Sequence, residues 1–192
     1  KYITDVACYW IKECDIDGWR LDVGDEISHF FWKNFRKAVK AVKKDMLIIG
    51  EIWHYAGDFL EGDEWDTVMN YPFYLNLIDL LADEKITVSQ FVQNLGYLKG
   101  RLHKNCYPLM WNLIDSHDTA RFLHLCNDNK KKQHLAAAFQ LLLPGMPMIY
   151  YGDEYAMPGA NDPDCRRGMY WDEEYQDKEM YEWYKRLIQV RK

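Results

Sequence analysis

Five short apolar runs alternate with helical pattern along this chain, and that alternation constrains its fold more than any other feature. The runs fall at residues 18–23, 47–49, 67–70, 112–115 and 148–151. Ile3, Val6, Ala7, Trp10, Ile11 and Cys14 repeat at helical spacing before the first run. Phe31, Phe35, Ala38, Val39 and Val42 do so between the first and second. Further helices are expected at residues 74–82 and 131–143, from a capping box at Thr87–Gln90 through Leu102, and after a cap near Asp177. The order is one helix, then five strand–helix units. Such alternation builds a parallel sheet with right-handed crossovers. A doubly wound sheet and a closed α/β barrel both satisfy it. No glycine-rich phosphate loop follows a strand, which weakens a nucleotide-binding reading.

Three carboxylates stand just past the ends of these runs: Asp22, Glu51 and Asp118. In a parallel barrel, strand ends gather on one rim, so residues distant in sequence converge there. Gly18, Arg20 and Asp22 alternate onto one face of the first strand, and Trp19, Leu21 and Val23 onto the other. An arginine two residues from Asp22 favours the ionised carboxylate that a nucleophile needs. Glu51 follows an apolar run and is flanked by Ile52 and Trp53. Apolar walls would raise its pKa, as a general acid requires. His117 beside Asp118 completes a set able to hold sugar hydroxyls. Paired carboxylates of this kind point to glycoside hydrolysis.

Bulk properties narrow the partners. The 192 residues suffice for one domain with a core. The net charge of −6 argues against nucleic acid, which needs a basic surface. The run Lys130-Lys131-Lys132 is too short to change that and reads as a solvated helix start. No apolar run approaches the roughly 20 residues of a membrane span, so no membrane partner is expected. Five scattered cysteines show no zinc-ligand spacing. They read as free thiols in a reducing, cytoplasmic setting, with no metal and no cofactor. Lys1 is not a natural start, so the chain reads as an excerpt. The 8 Trp and 14 Tyr suit a cleft that stacks sugar rings.

The motifs at these positions carry a resemblance. Gly18-Trp19-Arg20-Leu21-Asp22-Val23, Gly50-Glu51-Ile52-Trp53-His54 and Asn112 through Thr119 resemble signature regions of the α-amylase superfamily, glycoside hydrolase family 13. Met69-Asn70-Tyr71-Pro72, Tyr150 through Glu154 and Gly159 through Arg166 extend it over essentially the whole chain. The combination is most similar to the neopullulanase, cyclomaltodextrinase and maltogenic amylase subgroup.

That resemblance implies a (β/α)8 TIM barrel, of which residues 1–192 would be the C-terminal part, strands 4 to 8 with their helices. It implies a retaining α-glucan hydrolase acting on pullulan, cyclodextrin or starch oligosaccharides. The bonds cut would be α-1,4, with α-1,6 cleavage left open. Asp22 would be the nucleophile, Arg20 its orienting partner and Glu51 the acid/base. Asp118, with His117, would hold the distorted sugar. Asp162 and Arg166 would grip the sugar one place beyond the cleaved bond on the glycone side. Trp53 would stack near the leaving group, or serve the core. Glu26 would face the acceptor sugar, and His54 a loop hydrogen bond. Gly24 and Asp25 depart from the subgroup; Gly24 reads as extra space and Asp25 as added charge. Half of a barrel implies weak or no activity for these residues alone. A transglycosylase on the same scaffold and an inactive glucan-binding piece remain alternatives. The complete protein would form a homodimer.

Overall fold

The computed structural model describes residues 1–103 and 105–192. The chain divides into two compact units. Unit 1 holds residues 1–69 and 98–110, and unit 2 holds residues 70–97 and 111–192.

In unit 1, helix α1 (Tyr2–Cys14) leads into strand β1 (Gly18–Leu21), helix α2 (His29–Val42), strand β2 (Leu47–Gly50) and strand β3 (Thr67–Val68). The three strands form a parallel sheet in the order β1-β2-β3. Arg20 lies beside Ile49 and Leu21 beside Gly50. One step on, the amide of Glu51 donates to the Leu21 carbonyl at 3.0 Å. The register therefore puts Asp22 and Glu51 at the same level on neighbouring strand ends. Ser28 caps α2 through the Phe31 amide. Trp32, Phe35 and Val39 on the buried stripe of α2 pack with Ile48, Trp65 and Val68 into one core. Of the stripe read from the sequence, Phe35 and Val39 are buried and Phe31 and Val42 pack against this core partly exposed, while Trp32, outside that reading, is buried with them.

In unit 2, helix α3 (Tyr71–Leu77) runs on through a π-helical turn at Ile78–Ala82. Helix α4 (Val88–Arg101) crosses from unit 2 into unit 1. Strand β4 (Trp111–Leu113) is followed by helices α5 (Phe122–Leu125) and α6 (Lys130–Leu142), strand β5 (Met146–Met148) and helix α7 (Lys178–Arg191). β4 and β5 pair in parallel. The expected capping box forms: the Thr87 amide donates to Gln90 Oε1 at 2.8 Å, and the Gln90 amide to Thr87 Oγ1 at 3.3 Å. Asp177 caps α7 through the Met180 amide at 2.9 Å. Lys130 and its neighbours open α6, capped by Asn129.

Several boundaries differ from the sequence reading. β1 stops at Leu21 because Val23 adopts a left-handed conformation, φ 45°. α3 begins at Tyr71, with Pro72 in its first turn, where its missing amide costs nothing. β5 begins at Met146, ahead of the apolar run expected to carry it. The short helix α5 was not legible. The described strands form a three-stranded and a two-stranded ladder and close no barrel.

Candidate active site

In unit 1, Arg20 organises two acids. Its Nη1 donates to Asp22 Oδ1 at 2.5 Å. Its Nη2 lies 2.9 Å from Glu51 Oε1, a charge contact without the direction of a hydrogen bond. Its Nε donates to Met69 Sδ at 3.4 Å. Asp22 is open, with 76% of its side chain exposed, whereas Glu51 is 5% exposed. Neighbouring parallel strands lie about 4.8 Å apart. Both carboxyls contact the one Arg20 guanidinium, which holds them together at the ends of these neighbouring strands.

The surroundings of Glu51 correct the expectation of apolar walls. Its Oε2 accepts from the Val23 amide at 2.9 Å, and its carbonyl accepts from the Gly24 amide at 3.2 Å. Ile52 is buried, but a guanidinium and an amide hold the carboxylate itself. The physical reason is the left-handed turn at Val23, which folds the loop back over the end of β2. Arg20, expected to serve Asp22, reaches both acids.

Gly24 also reads differently in three dimensions. A Cβ there would stand 2.7 Å from the Trp65 ring, and one at Gly50 only 2.2 Å away. The glycines admit Trp65 beneath the acids and leave no extra space. Trp32 Nε1 donates to the Gly24 carbonyl at 2.8 Å and fixes the loop. Asp25 faces His54 at 3.8 Å, Glu26 ends the short turn at Gly24–Glu26 exposed to solvent, and Trp53 is 41% exposed.

In unit 2, the end of β4 leads to Asp118. Ser116 Oγ accepts from the Asp118 amide at 3.1 Å, and Thr119 Oγ1 from the Ser116 amide at 3.1 Å. His117 Nε2 lies 3.1 Å from Asp118 Oδ2, and Arg166 Nη2 lies 3.5 Å from Oδ1. Arg166 Nε lies 2.8 Å from Asp162 Oδ1 and donates to the His117 carbonyl at 2.9 Å. Asp118, His117, Asp162 and Arg166 thus form one partly open cluster within this unit.

Beneath it lies a network that the sequence reading missed. Arg121 is fully buried and ion-paired with Asp153 at 3.1 Å. Asp115 Oδ1 accepts from the Phe122 amide. Burial and the adjacent Asp153 carboxyl push the Asp115 pKa well up. Burial pushes Asp153 up to about 6 against the pull of Asp115 and Arg121. One guanidinium and two carboxyls balance when a single proton stays on the pair. The only local signal was polar residues between apolar neighbours, such as Arg121 between Ala120 and Phe122.

Among the described residues, no group of three His, Cys, Asp or Glu side chains is placed to hold a metal ion. No described helix is long and apolar enough to cross a membrane. A groove of about 940 Å³ along α6 and α7 takes in Lys130, His134 and Trp183 but none of the candidate acids.

Comparison with known proteins agrees with the motifs. The cyclomaltodextrinase of Thermoanaerobacter pseudethanolicus is 50% identical over 192 residues, covering all of this chain and 33% of that protein. The intracellular maltogenic amylase of Bacillus subtilis is 46% identical over the same span, again 33% of its length. A solved cyclomaltodextrinase superposes with a TM-score of 0.96 at 44% identity, over 99% of this chain and 33% of that one. The chain therefore spans about a third of the length of these relatives, and its βα units match part of their TIM barrel. The family described as alpha amylase, catalytic domain, matches residues 1–192. On that match, from the first residue to the last, this chain belongs to the alpha-amylase family.

Proposed function

We propose that the protein carrying this chain is a retaining α-glucan hydrolase of the cyclomaltodextrinase, neopullulanase and maltogenic amylase type. The observation that supports it best is Arg20 bridging Asp22 and Glu51 on adjacent strand ends. Residues 1–192 are assigned to strands 4 to 8 of the barrel and their helices.

Each acid has its own role. A carboxylate oxygen of Asp22 attacks C1 of the glucosyl unit, and the C1–oxygen bond to the leaving sugar breaks. Glu51 gives its proton to that oxygen. In the second half, Glu51 takes a proton from water, whose oxygen attacks C1 and displaces Asp22. Two inversions at C1 return the α-anomer. Arg20 keeps Asp22 oriented. Asp118 and His117 hold the hydroxyls of the distorted ring, and Asp162 with Arg166 hold the next sugar on the glycone side. Trp53 and Glu26 face the leaving group.

The relatives' names favour cyclomaltodextrins among the substrates. The name of the B. subtilis relative and the five free cysteines support a cytoplasmic protein. The subgroup resemblance adds a homodimer of the complete protein, checked by sedimentation.

Product analysis on cyclodextrin, pullulan and soluble starch, with anomers followed by NMR, tests the reading. α-Configured maltose or panose is expected from the complete protein, and little turnover from the 192 residues alone. β-Configured products, or no turnover of all three glucans by the complete protein, overturn it.

A further inference from the structure

Arg121 takes no part in the chemistry just described, yet it is the most enclosed cation of unit 2. Its side chain is fully buried, and it binds the loop of residues 151–166 at four points. Its backbone amide donates to the Gly159 carbonyl at 2.9 Å. Nε donates to the Cys165 carbonyl at 3.1 Å, and Nη1 to the Tyr151 carbonyl at 2.7 Å. Nη1 also meets Asp153 Oδ1 at 3.1 Å. The guanidinium lies 4.1 Å from the ring centre of Tyr150.

Those partners surround the candidate glycone-binding pair. The Cys165 carbonyl directly precedes Arg166. Cys165 Sγ contacts the His117 carbonyl at 3.4 Å, the oxygen that Arg166 Nε also reaches. Arg121 itself follows Asp118 by three residues, so one side chain ties the turn carrying His117 and Asp118 to the loop carrying Asp162 and Arg166. Gly159 has its place in this contact. A Cβ there would stand 2.9 Å from Cys165 Cα, 3.0 Å from the Asp164 carbonyl and 3.1 Å from Arg121 Cγ.

We infer that Arg121 is a positioning residue for substrate length: by pinning the carbonyls of Tyr151, Gly159 and Cys165 it fixes Asp162 and Arg166 to grip the second glycone sugar. This rests on the hydrolase reading above. A lysine at the position keeps the charge but loses the planar fork that reaches several acceptors at once. The resulting displacement is felt where the second sugar binds and much less where only one sugar is held.

The test is the ratio of kcat/KM for p-nitrophenyl α-maltoside to that for p-nitrophenyl α-glucoside, measured on the complete protein by p-nitrophenol release. The ratio does not depend on how much enzyme is folded. The wild type is expected to prefer the maltoside. Arg121→Lys, and independently Gly159→Ala, whose methyl presses on the Cys165 backbone, are expected to lower the preference about 10-fold or more, as small misplacements do. Arg166→Ala sets the floor, and adding Arg121→Lys to it should lower the ratio no further. Variants that lose overall rate but keep the wild-type ratio overturn the inference, as does a wild type without maltoside preference. A wild type that cleaves neither glycoside overturns the hydrolase reading and this one with it.

Discussion

The backbone amide of Val23 donates to Oε2 of Glu51 at 2.9 Å across 28 residues of sequence. Val23 reaches that oxygen only because its φ is 45°, a region that β-branched residues rarely occupy. Holding a residue there costs on the order of 1–2 kcal/mol. The loop keeps that cost where it places a donor on the candidate acid.

Val23→Gly keeps the amide and removes the strain. The exposed valine side chain gives up little on removal, so stability should stay within about 1 kcal/mol of wild type. Val23→Pro cannot take the positive φ and has no amide to give. It should lower kcat/KM at least about 10-fold, the cost of one partly buried hydrogen bond to a carboxylate. Equal activity of the two variants would show that this contact does not matter.

The glycines of the two units divide by what lies over them. Gly50→Ala drives a methyl into Trp65 and should cost about 1–3 kcal/mol by overpacking. Gly96→Ala, in α4 with nothing near its Cβ position, should gain up to about 1 kcal/mol in helix propensity. Urea unfolding of both variants checks the contrast. A harmless Gly50→Ala would mean that Trp65 moves aside freely.

The buried pair Asp115–Asp153 makes stability fall as pH rises. Both carboxyls have folded-state pKa values above the ordinary carboxyl value, so between that value and their raised ones the folded state holds more protons than the unfolded state. Their contribution is complete in acid and is lost as pH climbs through about 6, where Asp153 titrates, and above it for Asp115. Asp115→Asn mimics the protonated carboxyl and cannot ionise. The difference in melting temperature, variant minus wild type, should therefore grow more positive from pH 4 to pH 8. A difference that stays flat across this range would show that the pair shares no proton.

What the sequence made legible was local. The Thr87–Gln90 capping box and the Asp177 cap each depend on residues within a few positions, and each formed as expected; the α2 stripe formed in part, around Phe35 and Val39 with Trp32 added. Asp22 and Glu51 stand out as candidates because each follows a short apolar strand. The rest depends on partners far along the chain. The Val23 amide on Glu51, Trp65 under Gly24 and Gly50, and Arg121 on Asp153 join residues between 15 and 41 positions apart. Periodicity carries no trace of such pairs. The start of β5 was misplaced for the opposite reason: the apolar run at residues 148–151 outlasts the strand, which pairs with β4 only at Met146–Met148.

The central claim is that Asp22 is the nucleophile and Glu51 the acid/base. The direct measurement is mass spectrometry of the Glu51→Gln protein incubated with α-maltosyl fluoride. Fluoride leaves without an acid, and the glutamine cannot activate water, so the glycosyl ester should accumulate. The account predicts a gain of one maltosyl group, mapped to the peptide containing Asp22 and absent from Asp22→Asn in the same background. A label on another carboxylate, or unimpaired turnover of glucan by Glu51→Gln, would contradict it.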